Sequence, residues 1–100
     1  MDSHLLRAIA SPRRSAILGL VWERERSAGE IAAHFDVSWP AISQNLSVLQ
    51  RAGAITVRRE GTRRLYRADR EVLAPLSDVI RSMWASDLET LRLLAEADER

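Results

Sequence analysis

The sequence predicts a mainly α-helical chain that contains one small β-hairpin. Three observations favour this fold class. Apolar residues recur at helical spacing before residue 53 and after residue 70. Between these regions, the stretch 54–68 alternates apolar and polar residues around Glu60-Gly61-Thr62. Serines that suit helix N-caps stand directly before the apolar patterns. The 100 residues fit a single domain over 1–100.

The first two helices are predicted from spacing and capping. Helical spacing of apolar residues over 3–10 indicates a first helix. Ser11-Pro12 then provides an N-cap followed by proline at the first helical position. We expect the helix that begins there to run to about Glu25 and to lie at the centre of the domain. Within it, Gly19 would let another helix approach closely.

A pair of short helices is predicted over 28–52. Ser27 and Glu30 have the spacing of a capping box, which opens the first helix of the pair. After a tight turn, Ser38 can cap a second helix over 38–52, with Pro40 in its first turn. Gly53 is a typical residue just after a helix end. Two short helices joined by a tight turn indicate a helix-turn-helix.

The hairpin over 54–68 carries a cluster of arginines. We expect Val57 to face Tyr66 and Ile55 to face Ala68, so that both pairs lie on one face of the hairpin. Five arginines with one acidic residue among them are unusual for a solvated strand surface, and they indicate contact with an anion. These are Arg58, Arg59, Arg63, Arg64 and Arg67.

A long C-terminal helix is predicted over 70–97. Asp69 can cap it, and Pro75 marks either a kink or a fresh start. Its apolar stripe is expected to extend past the compact domain and therefore to need a partner. Trp84 on that stripe is expected in the core of a dimer, with the wall of a ligand pocket as the alternative.

Composition excludes several classes of function. The chain has no cysteine, which removes disulfides, thiolate metal sites and cysteine nucleophiles. We find no Gly-rich phosphate loop and no supported nucleophile–base pair, so neither enzymatic activity nor a cofactor is expected. No apolar run is long enough to span a membrane, and the N-terminus lacks the pattern of a signal peptide. We therefore expect a cytoplasmic protein without a membrane partner.

Charge is distributed unevenly although the net charge is only +1. Residues 51–70 contain seven arginines against two acidic residues, whereas residues 71–100 contain three against seven. A helix-turn-helix followed by an Arg-rich hairpin is a winged helix-turn-helix, whose second helix enters the major groove of DNA and whose hairpin lies against the backbone or in the minor groove. Double-stranded DNA is therefore the expected partner.

The expected DNA contacts divide into two kinds. Arginines on either side of the helix 38–52 would hold phosphates, and neutral polar side chains on it would read bases. Gln44 and Asn45 are expected at base edges, because amide side chains can pair with adenine. The full predicted set is Ser38, Trp39, Pro40, Ala41, Ser43, Gln44, Asn45, Ser47, Arg51, Arg58, Arg59, Arg63, Arg64 and Arg67. Arg13 and Arg14 would contact either phosphate or nearby glutamates.

Three segments of the chain resemble the ArsR/SmtB family of bacterial winged-helix regulators. They are "SPRRSAILGLV", "SAGEIAAHFDVSWPAISQNLSVLQRAGAI" and "VRREGTRRLYRAD", and the resemblance runs from about residue 5 to residue 70. It implies a homodimeric repressor that binds a palindromic operator and is paired through its first and last helices. The dimer contacts expected on those helices are Leu5, Leu6, Ile9, Val79, Ile80, Met83, Trp84, Leu88, Leu91 and Leu94.

The chain also departs from the pattern of its metal-sensing relatives. The third helix lacks their Cys-x-Cys, and the last helix has no histidine, so no metal site is expected. Trp39, Asn45 and Ser47 stand where relatives often carry Arg, His and a basic residue. The identity of any effector is left open. A winged-helix module that binds a protein partner instead of DNA is the alternative interpretation.

Overall fold

The computed structural model describes residues 3–98. It contains helices, one 3-10 turn and three short strands, and the predicted fold class is confirmed. The helices of the N-terminal half are α1 (Ser3–Ile9), α2 (Pro12–Leu20), α3 (Ala28–Ala32) and α4 (Trp39–Arg51). The strands are β1 (Arg26–Ser27), β2 (Ile55–Glu60) and β3 (Arg63–Ala68). The C-terminal region contains α5 (Arg70–Leu73), the 3-10 turn (Ala74–Leu76), α6 (Ser77–Ser86) and α7 (Leu88–Asp98).

Side-chain caps begin the helices where the sequence predicts them. The Ser11 hydroxyl accepts from the Arg14 amide, and the Asp69 carboxylate accepts from the Val72 amide at 3.2 Å. At the start of α3, the reciprocal bonds of the capping box between Ser27 and Glu30 measure 2.9 and 3.1 Å. These bonds satisfy amides that a helix leaves without partners in its first turn.

The hairpin has the predicted register. Val57 faces Tyr66 and Ile55 faces Ala68. Gly61 occupies the turn with a φ of 64°, a conformation that favours glycine. The third strand, β1, was not predicted because two residues carry no periodic signal. It pairs with β3, so the strand order is β1-β3-β2.

Helix α2 lies at the centre of the core, as predicted, but it ends earlier. Ile17 and Leu18 are fully buried, and α1, α4, α6 and α7 pack around α2. The expectation that α2 continues to about Glu25 is wrong, because the helix ends at Leu20. The Val21 carbonyl accepts from the Ala68 amide of β3 at 3.0 Å, so the chain leaves the helix to join the sheet.

The 3-10 turn at Pro75 gives the fresh start that the sequence allowed, but the prediction that the last helix then continues to residue 97 is wrong. The chain breaks at Asp87, whose extended backbone (φ −116°, ψ 108°) separates α6 from α7. The Asp87 carboxylate accepts from the Glu89 amide and the Thr90 hydroxyl, each at 3.1 Å, which begins α7. Helix α7 folds back onto α2 instead of extending past the domain. A Cβ at Gly19 would lie 2.6 Å from Leu94 Cδ2, so the predicted close approach at this glycine is made by α7.

Half of the predicted dimer residues lie in or against the protomer's own interior. Leu5, Ile9 and Ile80 are buried in the core of the chain, so the prediction that they form a dimer contact is wrong. Trp84 and Leu94 are partly buried against that core. The Trp84 indole N–H donates to the Ser15 carbonyl at 2.7 Å. The other five remain accessible, with Met83 partly exposed and the rest largely so: Leu6, Val79, Met83, Leu88 and Leu91.

No helix within residues 3–98 combines the length and the apolar character that crossing a membrane would require.

Candidate nucleic-acid interface

The outer face of α4 is polar and almost free of charge. Ile42, Leu46 and Leu49 are buried beneath the helix, which turns the intervening positions outward. Four exposed residues follow one another at three- and four-residue steps and therefore form one stripe along the helix. This stripe consists of Pro40, Gln44, Ser47 and Arg51. Gln44 and Ser47 carry neutral hydrogen-bonding groups that can contact bases, and Arg51 is the one charged residue of the stripe.

The start of α4 presents an exposed aromatic ring. The Ser38 hydroxyl accepts from the Ala41 amide at 3.3 Å and thereby caps the helix, which is the structural part of its predicted role. Trp39 follows with 54% of its surface exposed. Ser43 is also exposed, whereas Ala41 is half-buried. The leading turn of α4 is thus accessible to a large partner, as the groove-entering end of a recognition helix must be.

Asn45 does not belong to this outer face. Its side chain is only 8% exposed. The amide nitrogen donates to the Ala41 carbonyl at 2.9 Å, and the amide oxygen accepts from Arg14 Nη1 at 3.3 Å. Because both ends of the amide are used inside the protein, the prediction that Asn45 reads a base edge is wrong. The side chain of Asn45 points toward α2 instead of toward solvent.

Two of the hairpin arginines are already paired with glutamates. Arg58 makes a two-bond contact with Glu25 at 2.7 and 2.8 Å and also contacts Glu60 at 3.1 Å. Arg63 pairs with Glu30 at 2.9 Å. The hydrogen bond from Arg58 lowers the pKa of Glu25, and the two glutamates raise the pKa of Arg58. The positive charge of these two arginines is therefore largely compensated within the chain.

Arg59 and Arg64 form the opposite case. The register places them directly across from each other on neighbouring strands. Like charges in this position repel and destabilise a hairpin. No acidic side chain of residues 3–98 pairs with either of them. They continue the face of the hairpin that carries Val57 and Tyr66, beyond the point where that face leaves the core. An external anion would relieve their repulsion.

Arg67 is exposed and lies further from the tip. It donates to the Glu23 backbone carbonyl at 3.5 Å, a contact that does not neutralise its charge. The structure thus divides the five predicted hairpin arginines into two that are paired with acidic side chains and three that are not. Sequence alone could not make this division, because the strand β1, which lies between Glu25 and Glu30 in the chain and pairs with β3, was not predicted.

Within residues 3–98, no three side chains of the His, Cys, Asp and Glu types come together in a way that could hold a metal ion.

A short helix pair whose second helix exposes a neutral polar stripe, followed by an Arg-rich hairpin, defines a winged helix-turn-helix protein. Residues 11–57 match the arsR family of bacterial regulatory proteins. The chain belongs to this family and is a DNA-binding transcriptional regulator.

Three similar proteins illustrate the relationship. The Biofilm growth-associated repressor of Agrobacterium fabrum is 32% identical over 87 residues, which cover 87% of this chain and 74% of that protein. Transcriptional repressor SdpR of Bacillus subtilis is 37% identical over 71 residues, or 71% and 79% of the two chains. A homodimeric winged helix-turn-helix DNA-binding domain from Mycobacterium bovis, a possible ArsR-family regulator, has a TM-score of 0.71 and 32% identity. The match covers 86% of this chain and 80% of that one.

Proposed function

We propose that this chain acts as a homodimeric repressor that places α4 in the major groove of a palindromic operator. The neutral part of the exposed α4 stripe carries the proposal, because the stripe ends at the unpaired Arg51 and the hairpin with its unpaired arginines follows in the chain. Gln44 would contact a base edge, while Ser43 and Ser47 would contact bases or phosphate. Arg51, Arg59, Arg64 and Arg67 would hold phosphates on either side of the helix.

Accessible apolar side chains support the homodimer. Leu88 is 78% exposed, and Leu6, Val79 and Leu91 are each more than one-third exposed. They lie on α1, α6 and α7, the first and last helices of the chain. Burial of such side chains against a second copy would stabilise the dimer by about 1–2 kcal/mol for each largely exposed leucine. The homodimeric relative from Mycobacterium bovis is consistent with the same assembly.

Repression follows from the same geometry. A dimer that covers an operator excludes other proteins from that DNA, and two of the relatives described above are named as repressors. The site of action would be the cytoplasm, where bacterial DNA lies. We further propose that the chain has no enzymatic activity, since its family consists of regulatory proteins.

Selection of bound DNA from a random pool tests the proposal. We expect an enriched palindrome whose half-sites are centred about 10 base pairs apart, one turn of the double helix. The purified protein should bind this site at least about a thousandfold more tightly than random DNA at moderate salt. In cells, a reporter placed under the selected site should lose expression when the protein is present. Equal binding to selected and random DNA would contradict sequence-specific regulation.

A protein-interaction module is the second candidate function. The observation that favours it is a pair of exposed apolar side chains, Val37 and Trp39, at the turn before α4. Sedimentation of the dimer with and without the selected DNA separates the two functions. A regulator would sediment as a protein–DNA complex at micromolar concentration, whereas an interaction module would sediment as the dimer alone.

A further inference from the structure

A cationic groove lies between α1 and the last turn of α4. It encloses about 310 Å³, and its titratable lining consists of His4, Arg7, Arg14 and Arg51. Small apolar side chains, among them Ala8 and Val48, form the rest of the lining. Among residues 3–98, no acidic residue lines this α1–α4 groove. Three guanidinium groups in one groove repel one another, so the arrangement favours an anion between them.

Arg14 is fixed at the inner side of the groove. Its Nε donates to the Ala8 carbonyl, and its Nη2 donates to the Arg7 carbonyl at 3.2 Å. These carbonyls lie at the C-terminal end of α1, where a cation is favourable. Its Nη1 donates to Asn45 of α4 at 3.3 Å. Arg14 therefore connects α1 to α4 and has a structural role, which leaves the exposed Arg7 and Arg51 as the groove's outward cations.

Arg7 and Arg51 differ from the paired hairpin arginines. Neither is in an ion pair with an acidic side chain of residues 3–98. Arg51 is the final residue of the exposed α4 stripe, one turn beyond Ser47. Arg7 lies on the flank of α1 that faces α4, whereas the exposed Leu6 and the other proposed dimer residues do not line the groove. The groove is therefore continuous with the DNA-reading face and separate from the apolar surface.

We propose that the α1–α4 groove binds a backbone phosphate of the operator, with Arg7 and Arg51 as its ligands. This inference rests on the proposed function, because it requires α4 to lie in the major groove. The C-terminal end of a recognition helix approaches the DNA backbone when its N-terminal residues reach the bases. The groove would then bind a phosphate beside the C-terminal end of α4, while Arg59 and Arg64 bind phosphates at the hairpin. Helix α1 becomes a DNA-contacting element, a role that the sequence motifs do not assign to it.

Removal of the Arg7 charge should change the salt dependence of binding. Loss of the Arg7 charge in each protomer lowers the slope of log K against log salt by up to about 1.8 for the dimer, because Arg51 still lies beside the same phosphate. Across a fourfold increase in salt, the affinity of the wild type would then fall by up to about twelvefold more than that of Arg7→Gln. Arg92→Gln is the matched control, since Arg92 is an exposed arginine on α7 that does not line the groove. It should keep the wild-type slope.

A methylphosphonate scan locates the contact. In this experiment, single operator phosphates are replaced one at a time by neutral methylphosphonates, and the affinity of each duplex is measured for wild type, Arg7→Gln and Arg92→Gln. We expect one position in each half-site where neutralisation weakens binding of wild type and Arg92→Gln about tenfold but weakens Arg7→Gln, which keeps only the Arg51 contact, by a clearly smaller factor. Circular dichroism melts of all three proteins verify that the variants are folded.

The outcomes separate this inference from the proposed function. If wild type fails to bind any selected DNA specifically, both are overturned. If wild type binds specifically but the scan profile and salt slope of Arg7→Gln equal those of wild type, only the groove assignment is overturned. If the groove binds free phosphate instead, a third pattern is expected. Arg7→Gln would then bind DNA as wild type does, and inorganic phosphate at constant ionic strength would raise the melting temperature of wild type but not that of Arg7→Gln. That pattern also overturns the assignment to the DNA backbone.

Discussion

The two classes of hairpin arginine should respond oppositely to the same loss of charge. The test compares Arg59→Gln/Arg64→Gln with Arg58→Gln/Arg63→Gln, each of which removes two positive charges from β2 and β3. The first variant removes the repulsion between two arginines that face each other. The second removes cations that are paired with glutamates. The magnitudes follow from this difference.

Relief of a cross-strand like-charge pair contributes about 0.2–1 kcal/mol. In a domain of this size it raises the melting temperature by about 1–8 °C. The variant that lacks Arg59 and Arg64 should therefore be more stable than wild type but bind DNA more weakly. If each arginine holds one phosphate, the salt slope falls by about 3.6 for the dimer. The variant that lacks Arg58 and Arg63 should be less stable than wild type and lose less of the slope.

Circular dichroism melts measure the first quantity, and fluorescence anisotropy on the selected operator between 50 and 400 mM salt measures the second. The reasoning is refuted if the Arg59/Arg64 variant melts below wild type. It is equally refuted if both double variants reduce the salt slope by the same amount, since the division between paired and unpaired arginines would then have no consequence for binding.

Three further predictions concern the dimer, the core and acid stability. Leu88→Glu should weaken the dimer by about 2–4 kcal/mol over its two copies. Analytical ultracentrifugation measures the dimer dissociation constant, and a value equal to that of wild type would contradict the assigned surface. Trp84→Phe removes the hydrogen bond to the Ser15 carbonyl and should cost about 1 kcal/mol in urea unfolding; an unchanged midpoint would show that the bond contributes nothing. Because Arg58 lowers the pKa of Glu25, their ion pair is lost as pH falls below the usual carboxyl value of 4.5 and through the folded-state pKa. Glu25→Gln should therefore show a smaller drop in melting temperature between pH 6 and pH 2 than wild type, and an equal drop would refute the pair's contribution.

Local signals were enough to predict the helix-turn-helix and the hairpin. Ser27, Glu30 and Ser38 cap helices through bonds to residues only three positions away, and such bonds are visible as spacing in the sequence. The hairpin register follows equally from alternation, because a shift by one residue would move Val57 and Tyr66 out of the core.

Features that depend on distant contacts were not predictable. The break at Asp87 rests on a local cap, but its consequence, the return of α7 onto Gly19, depends on a contact between residues far apart in sequence. The inward position of Asn45 depends on Arg14, which lies 31 positions earlier. On a helical projection, Asn45 lies near the border of the buried face, and periodicity alone cannot decide which side its side chain takes.

The pairing of arginines with glutamates is also a tertiary property. Glu25 and Glu30 lie 33 residues before Arg58 and Arg63, respectively, so sequence proximity gives no sign that they neutralise the hairpin. The sequence therefore predicted where arginines are concentrated, but it overestimated the positive charge there, because two of the five hairpin arginines are paired with glutamates.

The central claim is that the neutral part of the α4 stripe reads DNA sequence. Substitution of Gln44 tests this claim most directly. Affinities of wild type and Gln44→Ala should be measured against the selected operator and a set of its single-base-pair variants. The account predicts that Gln44→Ala loses about 1–3 kcal/mol of discrimination at one base pair in each half-site and keeps the wild-type salt slope. An unchanged base preference at every position, with or without a general loss of affinity, would contradict the claim.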